Sequence, residues 1–366
     1  MPRIVHLIST PSGFGGAEAV MIALLRGGAE RGWEQTVLNP FARSPREELA
    51  SRCADFAYEA FPLPGGRALG LPATLRWSQR RLRELRPDLL QVYLPHALAL
   101  SAVVPRPART VAVLSHQHGM HFQATGRPLA ALVDRFAGRR MDHVVACSEA
   151  VRTFLVESYR YPPERVSCIR NGWSGTPLKL RRATSPTVVC TANFRPQKGH
   201  SVLIEAFATV AESLPEARLV LLGDGPELPA AKRLIAARGL SGKVELPGPQ
   251  ADVWPWLAKA HVFALASHYE PLGIAVLEAM AAALPVVATD VDGIAELVRP
   301  GVTGELVPPG DPAAMARALT TLLGDPGAAM KMGVAGRAVA EDARMDVCVG
   351  GYYELYERLL AGRSAG

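Results

Sequence analysis

The chain has 366 residues, 49% hydrophobic and 20% charged, with a formal net charge of +6, which predicts a globular α/β protein of two domains. No apolar run approaches the roughly 20 residues that span a bilayer, and the N-terminus enters a short strand-like run at Ile4 with no signal-peptide architecture. The five cysteines are scattered, odd in number and without metal-ligand spacing, so a cytoplasmic protein with reduced, structural thiols is expected.

Charge is uneven along the chain. Residues 1–180 hold 23 Lys+Arg and 14 Asp+Glu, a net of +9, and the remainder holds 17 and 20, a net of −3. The basic excess gathers at Arg76, Arg80, Arg81, Arg83 and Arg86, and again at Arg135, Arg139 and Arg140. Solvated helix faces account for it most simply. Attraction to anionic lipid or an acidic acceptor is the sharper alternative. Nucleic acid is not expected, because the basic runs lack interleaved aromatics and a binding motif.

In chain order, strands are predicted at Ile4–Ser9, Gln35–Leu38, Leu89–Tyr93, Thr110–Ser115 and His143–Cys147, with helices at Glu18–Arg31, Leu71–Leu85, Pro128–Phe136 and Ala150–Ser158. The rhythm then restarts. Strands are predicted at Thr187–Thr191, Arg218–Leu222, Val244–Leu246, Val262–Ala266, Val286–Ala288 and Glu305–Val307, with helices at Ser201–Ser213, Pro226–Ala237, Val253–Ala258, Ile274–Ala283, Asp311–Leu323 and Pro326–Ala340. Such alternation means a parallel sheet covered on both faces, here twice. The expected domains are residues 1–175 and 186–342, joined by a linker at 176–185, with a closing helix at about 343–366 returning to the first domain.

The segment Ser267 to Glu278 carries the most chemistry. It places Glu270 in a loop after an apolar strand and Glu278 inside the following helix. Open α/β sheets bind ligands at the carboxyl ends of strands, and a helix N-terminus favours an anion. Acids beside an anion would repel it, so each acid is expected to grip hydroxyls. A polyol joined to a phosphate, a nucleotide sugar, fits those demands. The segment Thr191 to His200 follows another strand, and its Arg195 and Lys198 can neutralise a diphosphate leaving group. Gly223-Asp224-Gly225-Pro226 reads as a tight turn, with Pro226 in a first helical turn and Gly223 close to a ligand. Ser12-Gly13-Phe14-Gly15-Gly16 follows the first strand and opens a helix, which suits a phosphate or a packing turn. Its spacing is not Gly-x-Gly-x-x-Gly, which disfavours a nicotinamide cofactor. His116, His118 and His121 cluster after a strand, but no carboxylate or cysteine lies nearby in the sequence to complete a metal set. No metal is expected there; one histidine is expected to face a cleft.

The order and spacing of Gly15-Gly16, Cys147-Ser148-Glu149-Ala150, Asn171-Gly172, Lys198-Gly199, Gly223-Asp224-Gly225-Pro226, Glu270-x7-Glu278, Ala288-x4-Gly293-x2-Glu296 and Gly301-x2-Gly304 resemble those of the retaining glycosyltransferases of family 4, across nearly the whole chain. That resemblance implies the α/β GT-B fold, two Rossmann-like doubly wound domains facing a deep interdomain cleft. The C-terminal domain would hold the nucleotide sugar and the N-terminal domain the acceptor. Glu278 would bind the ribose hydroxyls and Glu270 the donor sugar. Leu272, Gly273 and Ile274 would present backbone to sugar and phosphates. Arg195 and Lys198 would hold the diphosphate, Gly15 and Gly16 would close on it, and His118 would lie near the anomeric centre. One position departs from the pattern: many members have an arginine five residues before the lysine, where this chain has Asn193. Arg195 is expected to supply that charge.

The reaction implied is retaining, same-face transfer of a hexosyl or N-acetylhexosaminyl group to an acceptor hydroxyl, in a cytoplasmic bacterial enzyme without metal or other cofactor. UDP is the default donor nucleotide, with GDP behind it. The acceptor is open between a small natural product, a lipid-linked saccharide and an envelope glycan, with Gly119–Arg127 and Phe61–Gly70 as acceptor loops. Peripheral contact of the basic N-terminal half with the inner membrane face goes with a membrane-borne acceptor. A nucleotide-sugar epimerase of the same fold and a non-catalytic nucleotide-sugar-binding subunit are the competing readings.

Overall fold

Valine, isoleucine and leucine fill the strand segments almost without alternation, the pattern of strands covered on both faces. The computed structural model describes residues 1–8, 16–40, 56–60, 71–116 and 126–364. These form two units, one of Met1–Asn171 with Met345–Gly366 and the other of Gly172–Arg344.

In the first unit β1 (Arg3–Leu7), β2 (Glu34–Asn39), β3 (Ala57–Ala60), β4 (Leu89–Tyr93), β5 (Val111–His116), β6 (His143–Ala146) and β7 (Val166–Cys168) make one sheet in the order β3-β2-β1-β4-β5-β6-β7. Each pairing is parallel, with Val5 opposite Thr36 on one side and Leu90 on the other. The helices are α1 (Gly16–Glu30), α2 (Leu71–Leu85), α3 (Pro95–Val103), α4 (Pro128–Gly138) and α5 (Glu149–Glu157). Ser148 caps α5 by accepting from the Val151 N–H at 3.2 Å.

The C-terminal helix Met345–Ser364 belongs to this unit and lies against α1. Its tyrosines explain why. Tyr352, Tyr353 and Tyr356 are buried, and each hydroxyl finds a partner inside. The Tyr353 hydroxyl donates to the Leu24 carbonyl at 2.8 Å, and Tyr356 donates to Gln91 Oε1 at 2.6 Å. Tyr352 shares a hydrogen bond of 2.7 Å with Ser115. Large rings with satisfied hydroxyls anchor a helix without leaving a polar group stranded.

In the second unit β8 (Thr187–Thr191), β9 (Arg218–Leu222), β10 (Val244–Gly248), β11 (Val262–Leu265), β12 (Val286–Thr289) and β13 (Gly304–Val307) form a parallel sheet in the order β10-β9-β8-β11-β12-β13. Its helices are α6 (His200–Ser213), α7 (Leu228–Ala237), α8 (Trp254–Leu257), α9 (Ile274–Ala281), α10 (Ile294–Leu297), α11 (Pro312–Gly324) and α12 (Pro326–Glu341). Strand order reverses between β8 and β11. In open α/β sheets such a reversal sets a ligand crevice at the carboxyl edge of the strands.

Residues 176–185 run along this second unit, with the Arg181 N–H on the Ala258 carbonyl and the Ala183 N–H on the Lys259 carbonyl, both at 2.9 Å. Trp173 is buried here, donating from Nε1 to the Ala340 carbonyl at 2.7 Å and meeting Trp254 edge-on at 5.5 Å. Pro226, expected in a first helical turn, lies before the helix: α7 begins at Leu228 and Pro229 takes that place. Gly225 at φ 153° holds the preceding backbone out of the helical region, and the Glu227 N–H bonds the Phe194 carbonyl at 2.9 Å. Among the described residues no helix is long and apolar enough to cross a membrane.

Candidate functional site

The crevice between β8 and β11 is built from two loops, one leaving each strand. The β8 loop turns at Arg195, forms a short 3-10 turn over Pro196–Lys198, and enters α6 through Gly199. Gly199 has φ 60°, and a Cβ there would collide with the Ala266 carbonyl at the end of β11. Glycine at this position lets the two loops meet. The His268 N–H donates to the Gln197 carbonyl at 2.8 Å, tying them together across the reversal of strand order.

Their side chains meet as well. The Lys198 ammonium donates to Glu270 Oε2. Ser267 Oγ donates to the same oxygen at 3.5 Å. Both members of the ion pair are largely enclosed, with side-chain exposures of 23% for Lys198 and 12% for Glu270. Opposite charges so enclosed are less screened by solvent than a surface pair.

Glu270 is also fixed through its backbone. Its N–H donates to Asp292 Oδ2 at 3.0 Å, and its carbonyl accepts from the Gly293 N–H at 3.1 Å. Thr289 Oγ1 donates to the Ser267 carbonyl at 2.5 Å. The loop after β12 therefore braces the loop after β11. Burial, with the Glu270 charge adding to it, holds the Asp292 carboxyl above its ordinary range, while its bond from the Glu270 N–H opposes the shift. Gly293 allows the approach, since a Cβ there would run into Pro271 and Leu272.

Beyond Glu270 the chain reaches α9 through Gly273, at φ 94°. Leu272 is buried, so its side chain belongs to the core and only its backbone faces the loop. Val276 and Leu277 donate to the Gly273 carbonyl at 2.9 and 3.2 Å. The amides of Ile274 and Ala275 precede these and have no acceptor inside the helix, which makes this end receptive to an anion. Glu278 lies one turn further along, on the face of Ile274. Burial alone pushes its carboxyl up to about 7, and among the described residues no cation lies against it. A hydroxyl donor would stabilise its ionised form.

Arg195 and Asn193 are exposed at the mouth of the β8 loop. Gly223, at φ 134°, is set so close to Ala192 and Asn193 that a Cβ would strike the Ala192 carbonyl. The second unit thus gathers Asn193, Arg195, Lys198, Gly223, Glu270, Leu272, Gly273, Ile274 and Glu278 at the carboxyl ends of β8, β9 and β11, with Lys198 and Glu270 in contact. Gly16 opens α1 in the first unit. Gly15, His118, the loop Phe61–Gly70 and residues 119–125 of the loop Gly119–Arg127 lie outside the described residues.

Three contributors escaped the sequence reading. Ser267, Asp292 and the Gln197 carbonyl act through neighbours brought in by strand order. The pair Asp292-Gly293 after an apolar strand was the signal available for the second of them. Among the described residues no group of three or more His, Cys, Asp or Glu could hold a metal ion. The arrangement can place two cations and a helix N-terminus around an anion, with two carboxylates positioned for hydroxyl groups.

Residues 14–173 match the family described as Glycosyltransferase Family 4, and residues 179–339 match Glycosyl transferases group 1. The chain is 31% identical to the exopolysaccharide phosphotransferase SCO2592 of Streptomyces coelicolor over 78% of its own length. It spans only 30% of that protein. It is 30% identical to the lipopolysaccharide core biosynthesis glycosyltransferase LpsE of Rhizobium meliloti, over 85% of this chain and 86% of that one. The crystal structure of Anabaena Alr3699/HepE in complex with UDP and glucose is similar with a TM-score of 0.81 and 25% identity, covering 97% of this chain and 99% of that one. With two Rossmann-like units of the GT-B type and these matches along both, the chain belongs to glycosyltransferase family 4.

Proposed function

We propose that this protein is a retaining glycosyltransferase that moves a hexosyl or N-acetylhexosaminyl group from a nucleoside diphosphate sugar to an acceptor hydroxyl. The observation that carries the proposal is the Lys198–Glu270 pair set beside the N-terminus of α9, with the carboxyl of Glu278 one turn further on. An anion at that helix end, a sugar at Glu270 and a ribose at Glu278 would follow the order of groups in a nucleotide sugar.

Transfer breaks the bond between the anomeric carbon and a β-phosphate oxygen, so negative charge grows on the phosphate as positive charge grows on the carbon. Lys198, Arg195 and the amides of Ile274 and Ala275 oppose the negative charge, and fixed donors aimed at developing charge are the strongest single catalytic device. These groups supply the role a metal would otherwise play, and the proposal is metal-independent. The acceptor hydroxyl attacks from the leaving-group face. Its proton passes to the departing phosphate oxygen, and the new bond has the configuration of the old. Glu270 holds sugar hydroxyls and is not a covalent nucleophile. Asn193 and Gly223 line the diphosphate side.

UDP is the proposed donor nucleotide, supported by the complex of Alr3699/HepE with UDP and glucose. The proposed acceptor is an envelope glycan or its lipid-linked precursor, supported by the naming of LpsE for lipopolysaccharide core biosynthesis. Its binding belongs to the first unit, which we place in peripheral contact with the inner membrane face. The test is incubation with UDP-glucose, UDP-N-acetylglucosamine or GDP-mannose and a panel of lipid-linked and envelope-glycan saccharide acceptors in EDTA, followed by NMR of the product. An α-linked product from an α-linked donor supports the reading. A β-linked product, or a free epimerised nucleotide sugar, overturns it.

A further inference from the structure

Helix α4 is turned inside out relative to an ordinary surface helix. Leu129, Leu132, Val133 and Phe136 fall within one arc of its circumference, at the spacing that forms a single helical face. That face points to solvent: the four side chains are 73%, 61%, 42% and 58% exposed. The opposite face, buried, carries Asp134, Ala137 and Gly138. Gly138 is small because the Tyr161 ring occupies the space of a side chain. Tyr161 also donates to the carbonyls of Asp134 and Arg135, both at 3.2 Å, fixing which way the helix faces.

The apolar ridge is flanked by cations. Residues 127–140 contain Arg127, Arg135, Arg139 and Arg140 against the single acid Asp134, which is buried on the far face. Arg135 and Arg139 donate to the neutral Tyr159 carbonyl, each at 3.1 Å, and the Arg140 guanidinium lies 5.8 Å from the Phe136 ring centre. Among the described residues no carboxylate forms an ion pair with these three. The basic helix α2 differs, since Arg80 pairs with Glu84 and Arg81 with both Glu59 and Glu84. Beside the ridge a cavity of about 410 Å³ runs between Arg127 and Arg135 over Phe154 and Tyr159.

Four large apolar side chains in water with unneutralised arginines at their edge match a bilayer interface, with apolar groups below the headgroups and guanidiniums at phosphate level. We propose that α4 is a membrane-docking helix that lies on an anionic phospholipid surface, its Leu129–Phe136 ridge among the upper acyl carbons, and the cavity beside it receiving one lipid under Arg127 and Arg135. The inference rests on the peripheral membrane contact proposed above and names the element that makes it; it does not depend on the transfer chemistry.

The test is co-sedimentation of the full chain with vesicles of phosphatidylcholine alone or mixed with phosphatidylglycerol. Wild type should sediment with the mixed vesicles and not with the neutral ones. Leu132→Glu/Phe136→Glu should lose at least about tenfold in partitioning, and Arg139→Glu/Arg140→Glu about as much. Arg80→Glu should bind as wild type does. Both double variants change exposed positions and should keep the melting temperature of wild type. Vesicle binding retained by the α4 variants and lost by Arg80→Glu would overturn the assignment to α4 while leaving a membrane contact in place. No binding by wild type would overturn both. Self-association of wild type in light scattering, abolished by Leu132→Glu/Phe136→Glu without any vesicle binding, would make the ridge an interface between copies and equally overturn the proposal.

Discussion

Lys198 and Glu270 stand 72 residues apart in sequence and share a hydrogen bond at the point where the second sheet reverses its strand order. A lysine held by one carboxylate has two further N–H donors for an arriving phosphate. Lys198→Ala removes positive charge where the leaving diphosphate gains negative charge. Turnover should fall by roughly 10²- to 10³-fold with little change in the KM for donor, the pattern of an interaction that strengthens in the transition state. Steady-state kinetics checks it, and unchanged turnover would remove Lys198 from the reaction.

Glu278 makes the site sensitive to pH near neutrality. Its carboxyl stands at about 7 in the fold against an ordinary 4.5. The folded state therefore holds this proton more tightly than the unfolded chain. The associated stability is full below pH 4.5 and is lost as pH rises through about 7. Glu278→Gln should melt higher than wild type at pH 8, by about 1–3 kcal/mol of stability after solvent screening, and like wild type at pH 4. Hydroxyl donors favour the ionised carboxylate, so nucleotide binding should release protons at pH 6.5. Titrations in buffers of different ionisation enthalpy measure that release.

Two glycines hold the crevice in shape. Gly199→Ala and Gly223→Ala each force a side chain onto a backbone carbonyl at positive φ, and each should lose about 2–4 kcal/mol in denaturant unfolding. Gly301 has φ 73° with open space around it. Gly301→Ala should lose only about 1 kcal/mol. Equal losses at all three positions would show that conformation, not contact, limits the loops.

Arg195 is exposed, and among the described residues its side chain has no hydrogen bond or ion pair. Arg195→Ala should leave stability within about 0.5 kcal/mol of wild type and weaken diphosphate binding by about tenfold. Adding Asn193→Arg to that variant should recover binding, because position 193 is exposed at the same mouth. Calorimetry on the three proteins decides whether the charge has moved along the loop.

The parallel architecture was legible because runs such as Val262–Leu265 and Val286–Thr289 are apolar on both faces. Elements without that contrast escaped. Strand β3 is a four-residue edge strand with a polar residue in it, and β7 has three residues. Helix α3 is nearly apolar all round, so no helical period marks it. The candidate site divides the same way. The positions of Arg195, Lys198 and Glu270 in loops after strands, and of Glu278 in the helix that follows, could be read from the sequence. The brace from Asp292 could not, because it depends on β12 lying beside β11. The exposed ridge of α4 was likewise hidden, since periodicity reveals an apolar face without saying which way it points. The tyrosines of the C-terminal helix could be seen, but their partners Leu24, Gln91 and Ser115 lie in distant segments.

Calorimetric titration of the protein with UDP in EDTA tests the central claim, that the second unit holds a nucleoside diphosphate at the crevice between β8 and β11. The account predicts metal-independent binding in the micromolar range that Glu278→Ala weakens. Absence of binding to UDP, GDP, ADP and TDP alike, or UDP binding that Glu278→Ala leaves unchanged, would contradict it.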